Sequence, residues 1–308
     1  MRGMFVTGRL NPADLTDDGG HLRVSGAVGR TFDELTGQVL NPTMPGYVAD
    51  MVTPYGLAVR EDLLADGVGH SYAEMCVPLL AELVPEDRPA DLLVLATGIP
   101  DVRYGRSTAT VLSWHCAGAP MAFTVCDQGL LAAFTALHLI DGYARTGDCR
   151  RAVLLVAEQP TVYHELPVPA PVPDRAAAVG VVLETSGVPG GLSIRRHTTV
   201  APHEVPDALA EELAGLPGDT TVILGPGVAD MTGIGDAVVC RENQPYTGVW
   251  LELSRRLPDL RDAGGQVLLA EYDAGMGYLF SATIDLTWRT GDELPPRLSD
   301  PLAAAPPP

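Results

Sequence analysis

The sequence predicts an α/β protein made of two successive halves, each a sheet interleaved with helices. Three observations carry this. Runs such as "ADLLVLATG" (90–98), "RRAVLLVAEQ" (150–159) and "AAAVGVVLET" (176–185) are apolar throughout, as in strands covered on both faces by helices. They alternate with helical stretches such as "GLLAAFTALHLIDGYARTG" (129–147). After the break "SGVPGG" (186–191) the same rhythm recurs more briefly to about residue 290. The sheets are expected to be mostly parallel. With 308 residues and 46% hydrophobic content, the chain can build one large core or two similar packed half-domains.

Taken in order, residues 1–70 are punctuated by Gly and Pro, with one short strand candidate at 4–7. "SYAEMCVPLLAELV" (71–84) has helical spacing despite Pro78. "STATVLSWHCAG" (107–118) opens on a Ser/Thr cap and closes at glycine, so it reads as a helix. "PMAFTV" (120–125) reads as a second buried strand, and residues 129–147 as a long apolar helix ended by Gly147. The four prolines of "ELPVPAPVPDR" (165–175) require a loop or polyproline segment. In the second half, "LSIRRHTTV", "TTVILGPG" and "DAVVCRE" read as strands, and "PDALAEELAGL" and "TGVWLELSRRL" as helices. "GQVLLAEYDAGMGYLFSATIDL" reads as two strands about a glycine turn. The division expected is 1–187 and 188–290 for the halves, with a Pro-rich disordered tail at 291–308.

Composition narrows the chemistry. The formal net charge of −19 disfavours nucleic acid and anionic membrane surfaces as partners. All 20 basic residues are arginine, which excludes Schiff-base chemistry, a pyridoxal phosphate anchor and a Walker-type lysine. The five cysteines are odd in number and widely spaced, with no CxxC and no Cys/His zinc spacing, so reduced thiols, no metal and a cytoplasmic setting are expected. The first residues lack a long apolar segment of signal-peptide type, and no apolar run approaches 18 residues.

Several phrases together resemble the thiolase superfamily, most of all β-ketoacyl-ACP synthase III. "DLLVLATGIPDVRYGRSTATVLSWHCAGAPMAFTV" is similar to that family's strand, "P…PSTA" loop, helix and "AFDV" strand. "ALHLIDGYARTGDCRRAVLLVAE" is similar to its central helix and "VVGAE" strand, and "PDRAAAVGVVLE" to "GDGAGAVVLE". "YTGVWLELSRRL" and "QVLLAEYDAGMGYLFSATI" resemble "GNTSAASIPLAL" and "VLLVGFGAGLTWGAALL". The likeness spans about 90–186 and 219–286, and the second half is tens of residues shorter than the family's. It implies a five-layer αβαβα fold of two pseudo-repeated βαβ halves, the second shortened. It also implies a cysteine nucleophile at the tip of a buried helix, assisted by a histidine and an asparagine.

Those three roles fall on unsuitable residues. The nucleophile position lands on Gly129 from one side, on Leu130 from the other, and on Gln128 in a shifted register. The histidine falls near Pro226 and the asparagine on Tyr246. Cys126 is either a nucleophile displaced upstream or a small filler. Asp127-Gln128 is similar to the Glu-Gln of chain-length-factor subunits, which lack the nucleophile and pair with an active synthase. Gln128 would hydrogen-bond a thioester carbonyl, or else cap the turn. Asp127, Gln128 and Gly129 thus form the turn and oxyanion region. The resemblance puts Tyr104 where an aromatic ring crosses the dimer interface into the partner's acyl pocket, with Tyr246 near the same pocket. His115 and Cys116 are adjacent and point about 100° apart on a helix, so they do not face each other. His138 is expected in the core or an interface, His164 at a pocket mouth or on the surface, and Trp250 and Tyr272 in the core.

The resemblance leaves two functions open. One is a ketosynthase III-like protein of specialised polyketide or fatty-acyl metabolism that handles acyl thioesters without the standard triad, as a non-condensing or chain-length-factor-like partner. The other is an active acyltransferase or condensing enzyme carrying its acyl group on Cys126. Neither needs a cofactor beyond acyl-CoA or acyl carrier protein as substrate. A homodimer, or a heterodimer with an active homologue, would form through "PMAFTV".

Overall fold

The computed structural model describes residues 22–33, 43–66, 69–103, 105–147, 149–166, 170–185, 191–240 and 243–287. The strand expected at 4–7, Tyr104, the boundary at 186–190 and the tail at 291–308 lie outside the described residues. The first half contains β1 (Leu22–Phe32), α1 (Met44–Val52), α2 (Glu61–Asp66), α3 (Tyr72–Leu83), β2 (Leu92–Thr97), α4 (Thr108–His115), β3 (Met121–Val125), α5 (Ala132–Arg145), β4 (Arg151–Glu158) and β5 (Ala176–Thr185). The second contains β6 (Leu192–Thr198), α6 (Val205–Ala214), β7 (Thr221–Leu224), α7 (Pro226–Ala229), β8 (Val238–Val239), α8 (Gly248–Ala263), β9 (Gln266–Asp273) and β10 (Tyr278–Asp285).

Each half builds one five-stranded sheet, and the two orders correspond strand for strand: β1-β5-β4-β2-β3 and β6-β10-β9-β7-β8. Both sheets are mixed. In the first sheet β1, β4, β2 and β3 share one direction and β5 runs against them; in the second β6, β9, β7 and β8 share one direction and β10 runs against them. The strands are thus mostly of one direction, as expected, with one reversed strand inserted in each sheet. A parallel pair needs a helical crossover, whereas β9 and β10 are joined by the tight turn at 274–277 and can only return antiparallel.

The layers follow from alternating side chains. Leu92, Val94 and Ala96 of β2 face a central core with α5 and α8, whereas Leu93 and Leu95 face α3 and α4 on the outside. In the second sheet Val267 and Leu269 enter the central core, while Leu268, Ala270 and Tyr272 face α6 and α7. The result is α/β/α/β/α, with α5 and α8 sandwiched between the sheets. Coverage on both faces is why β2, β4 and β5 read as unbroken apolar runs. Ser71 caps α3 in a reciprocal box with Glu74, which offsets the interior Pro78.

Two sequence expectations change. β1 is an 11-residue strand where only Gly/Pro-rich chain was expected. Its glycines hide it. Gly26 sits at a register break, and at Gly29 a Cβ would run into Ser254 and Leu251 of α8, so glycine there lets the central helix approach. β3 is an edge strand rather than a buried one, with Met121 half exposed and Thr124 exposed. No helix among the described residues is long and apolar enough to cross a membrane.

Candidate functional site

β3 delivers the chain to a sharp turn ahead of α5. Asp127 sits at φ 57°, a left-handed conformation that aspartate tolerates better than most non-glycine residues, and Gly129 follows at φ 51°. Residues 129–131 then form one turn of 3-10 helix leading into α5. Cys126 lies before this turn and is exposed. Its thiol donates to the Asp127 carboxylate at 3.4 Å. Partial burial of the sulfur, then the adjacent carboxylate, push its pKa up, so the thiolate is disfavoured. Gln128 turns its amide back onto the Asp127 carbonyl at 3.1 Å.

The helix tip itself is occupied by the other half of the molecule. The Leu130 N–H donates to Asp273 Oδ2 at 3.0 Å, and a Cβ at Gly129 would collide with the same carboxylate. Asp273 also accepts the Met276 N–H through Oδ1, which fixes it in the β9–β10 turn. Leu130 packs with Leu166 against the buried cluster of Ile99, Val162 and Tyr246. Tyr246 is 4% exposed, and its ring lies so close over Gly98 that any Cβ there would collide with it. The Tyr246 hydroxyl donates to the Pro171 carbonyl at 3.0 Å, and Asn243 holds Val172 and Asp174 of the same proline-rich segment.

Tyr246 is held from behind by a buried carboxylate. Glu158, at the end of β4, accepts from Gln244 Nε2 at 2.7 Å, from the backbone N–H groups of Tyr246 and Thr247, and from the Thr247 hydroxyl. Burial raises its pKa to about 7 against the pull of these donors. The equivalent strand of the second half carries a similar acid two residues before its end. Glu271 of β9 accepts the N–H groups of Gly227 and Tyr272, and burial raises its pKa to about 8. Pro226 therefore sits on the exposed first turn of α7, tied through Gly227 to Glu271, two residues from Asp273.

Of the residues singled out in the sequence, the fold brings Gly129, Leu130 and Tyr246 to one place, with Asp273 at its head. Cys126, Asp127 and Gln128 lie on the turn's outer side. His138 is exposed on α5, which corrects its core placement, and His164 bonds the Glu165 carbonyl. His115 is exposed while Cys116 is buried, its thiol raised to about 11 by burial. Trp250 is buried against Phe134, and Tyr272 is buried with its hydroxyl on the Val200 carbonyl. Among the described residues no His/Cys/Asp/Glu group has the arrangement of a metal site. Sequence reasoning missed Glu158, Glu271 and Asp273. The repeated "AE" that ends the apolar runs of β4 and β9 was the available signal.

No family model matches the sequence, and no curated protein matches it. Solved structures do share its fold. A structure described as AbyA1, a tetronic acid condensing enzyme, superposes with TM-score 0.58 at 18% identity, covering 85% of this chain and 99% of that one. 3-Oxoacyl-[acyl-carrier-protein] synthase III from Aquifex aeolicus gives 0.58 at 14% identity, covering 86% and 99%. A variant of Xanthomonas campestris OleA with cerulenin gives 0.56 at 13% identity, covering 87% and 97%. The fold is thiolase-like, and these neighbours are ketosynthase III-like enzymes of that superfamily.

Proposed function

We propose that this chain is a non-condensing, ketosynthase III-like subunit that works beside a catalytically competent homologue in acyl-thioester metabolism of the polyketide or fatty-acyl kind. The observation that carries the reading is the blocked helix tip. The amide that would receive a thioester oxygen is bonded to Asp273, and the space in front of it is filled by Leu130 and Tyr246. A nucleophile at the head of α5 would need a thiol or hydroxyl with an amide free to stabilise the oxyanion. Leu130 supplies no nucleophile, and its N–H is engaged. The neighbours named as condensing enzymes and carrier-protein synthases supply the metabolic context, including acyl carrier protein or CoA thioesters as the pair's ligands.

The partner surface follows from the sheet edges. β6, an edge of the second sheet, exposes Arg195 and Arg196, which discourage strand pairing. β3 carries no charge along "MAFTV", half-exposes Met121, and follows α4, which bears Trp114, 85% exposed. This uncharged edge pairs with the homologous edge of a second subunit. Nothing in the geometry favours the acyltransferase reading, because the Cys126 thiol has a carboxylate for its partner and a raised pKa. Intact-mass measurement after incubation with acyl-CoA and with acyl carrier protein tests the proposal. No adduct is expected, and a stable acyl group mapped to Cys126 would establish the acyltransferase instead.

A further inference from the structure

Tyr246 does more than stand where the family resemblance puts an asparagine. Its ring is seated on the bare backbone of Gly98 and enclosed by Ile99, Val162, Leu130 and Leu166. Its hydroxyl reaches one carbonyl, that of Pro171. The segment bearing it is pinned by the four donors that converge on Glu158, from Gln244, Tyr246 and Thr247. Apolar walls, one acceptor at the far end and a separate anchor for the backbone are the parts of a small chamber with a resident occupant.

We propose that Tyr246 is a latched plug, and that the space it fills is a binding chamber for a small phenol, with Glu158 as the positioning residue that keeps the plug seated. The inference rests on the non-condensing reading, since it identifies what closes the site. The ligand class follows from the walls: a single aromatic ring in van der Waals contact with aliphatic side chains, and one hydroxyl donating to Pro171. An apolar chamber of ring size that cannot collapse binds a matching aromatic from solution. Glu158 faces only donors, so Glu158→Gln replaces an accepting oxygen by an NH2 group that meets other N–H and O–H groups. That should loosen the Tyr246–Thr247 segment without removing the ring.

The probe is 4-methylphenol, the tyrosine side chain itself, followed by ligand-observed NMR and by thermal unfolding of the full chain. Wild type should show no saturable binding. Tyr246→Ala should bind with a submillimolar to millimolar Kd and recover several degrees of Tm at saturation. Glu158→Gln should bind measurably, about tenfold more weakly, because a loosened ring must be displaced. Tyr246→Ala folding only when 4-methylphenol is present would support the chamber equally. Tyr246→Ala that folds without binding, or fails to fold even with the phenol, overturns the chamber. Binding by wild type equal to that of Tyr246→Ala overturns the plug. No binding by Glu158→Gln at concentrations that saturate Tyr246→Ala overturns the latch. The non-condensing reading fails on a different result, a condensed product made by the wild-type chain, so the two failures are distinguishable.

Discussion

Replacing Glu271 by glutamine should flatten the dependence of stability on pH. The Glu271 carboxyl is 2% exposed, and burial raises its pKa from 4.5 to about 8, with the nearby Asp273 charge adding to the effect and two backbone amides opposing it. A carboxyl whose folded pKa is raised holds its proton longer in the native state than in the unfolded chain. Its contribution is therefore fully present below about pH 4.5 and is lost as pH rises through about 8. The loss runs at about 1.4 kcal/mol per pH unit, to a ceiling on the order of 4–5 kcal/mol across that window. Glutamine reproduces the neutral acid, since its Oε1 can still accept from Gly227 and Tyr272. The assay is urea unfolding of wild type and Glu271→Gln at pH 4.5, 6, 7.5 and 9, with free energies extrapolated at matched m-values. The variant should gain steadily on wild type from pH 4.5 to 8 and hold its lead above. A constant offset between the two curves would mean that Glu271 titrates normally, and the assignment of a buried neutral acid would be refuted.

Asp273→Ala leaves the Leu130 N–H without its acceptor, and should lower stability by about 1 kcal/mol, the usual effect of losing a helix cap, with Asp273→Asn retaining part of it. Chemical denaturation measures this, and an unchanged midpoint for the alanine variant would count against the contact. Gly98→Ala drives a methyl into the Tyr246 ring and should destabilise by about 1–3 kcal/mol, as overpacking does. Much of that should vanish in the Gly98→Ala/Tyr246→Ala background, and additive effects would show that the two sites do not touch. Thr124→Lys puts a charge on the uncharged β3 edge and should shift gel filtration from dimer to monomer. A wild type that elutes as a monomer at micromolar concentration, with no homologue able to bind it, would remove the partner surface. Cys126→Ala should leave stability within about 0.5 kcal/mol, as exposed surface changes usually do, and, on the proposed subunit reading, should leave pathway output intact.

The parts of the fold that were legible in the sequence are those where burial is two-sided. β2, β4 and β5 are sealed by helices on both faces, so their composition has no polar phase to confuse with a helix or loop. β1 was illegible for the opposite reason. A close approach to α8 selects glycine at position 29, and glycine reads as loop when only sequence is available. Exposure of β3 was hidden as well, because an edge strand with small and apolar residues looks like an interior one; sheet order, not composition, decides which it is. The turn before α5 failed differently. Its register shifted by one residue according to which flanking phrase was used, since the turn contains a left-handed Asp127 and a glycine that absorb chain length without leaving a pattern.

The turn and the entry to α8 are each held by contacts from a distant part of the chain. Asp273 lies 143 residues from Leu130 in sequence, and Glu158 lies 88 residues from Tyr246. Each is an acid at or near the end of an apolar strand, where an ordinary sheet would place no charge without a partner. Laid on the phrase "VLLVGFGAGLTWGAALL", Glu271 and Asp273 fall where that phrase has glycines. A glycine at 273 would offer the Leu130 amide no acceptor, whereas Asp273 Oδ2 satisfies it from within. The first half reaches across in return, its Glu158 capping the entry to α8 and seating Tyr246. Each half thus supplies the acid that closes the other's central helix. A reactive sulfur placed at position 129 or 130 would then accomplish nothing by itself, because Asp273 would still hold the amide and Tyr246 would still fill the space. Reactivity would require at least three coupled changes, one at the turn, one at Asp273 and one at Tyr246.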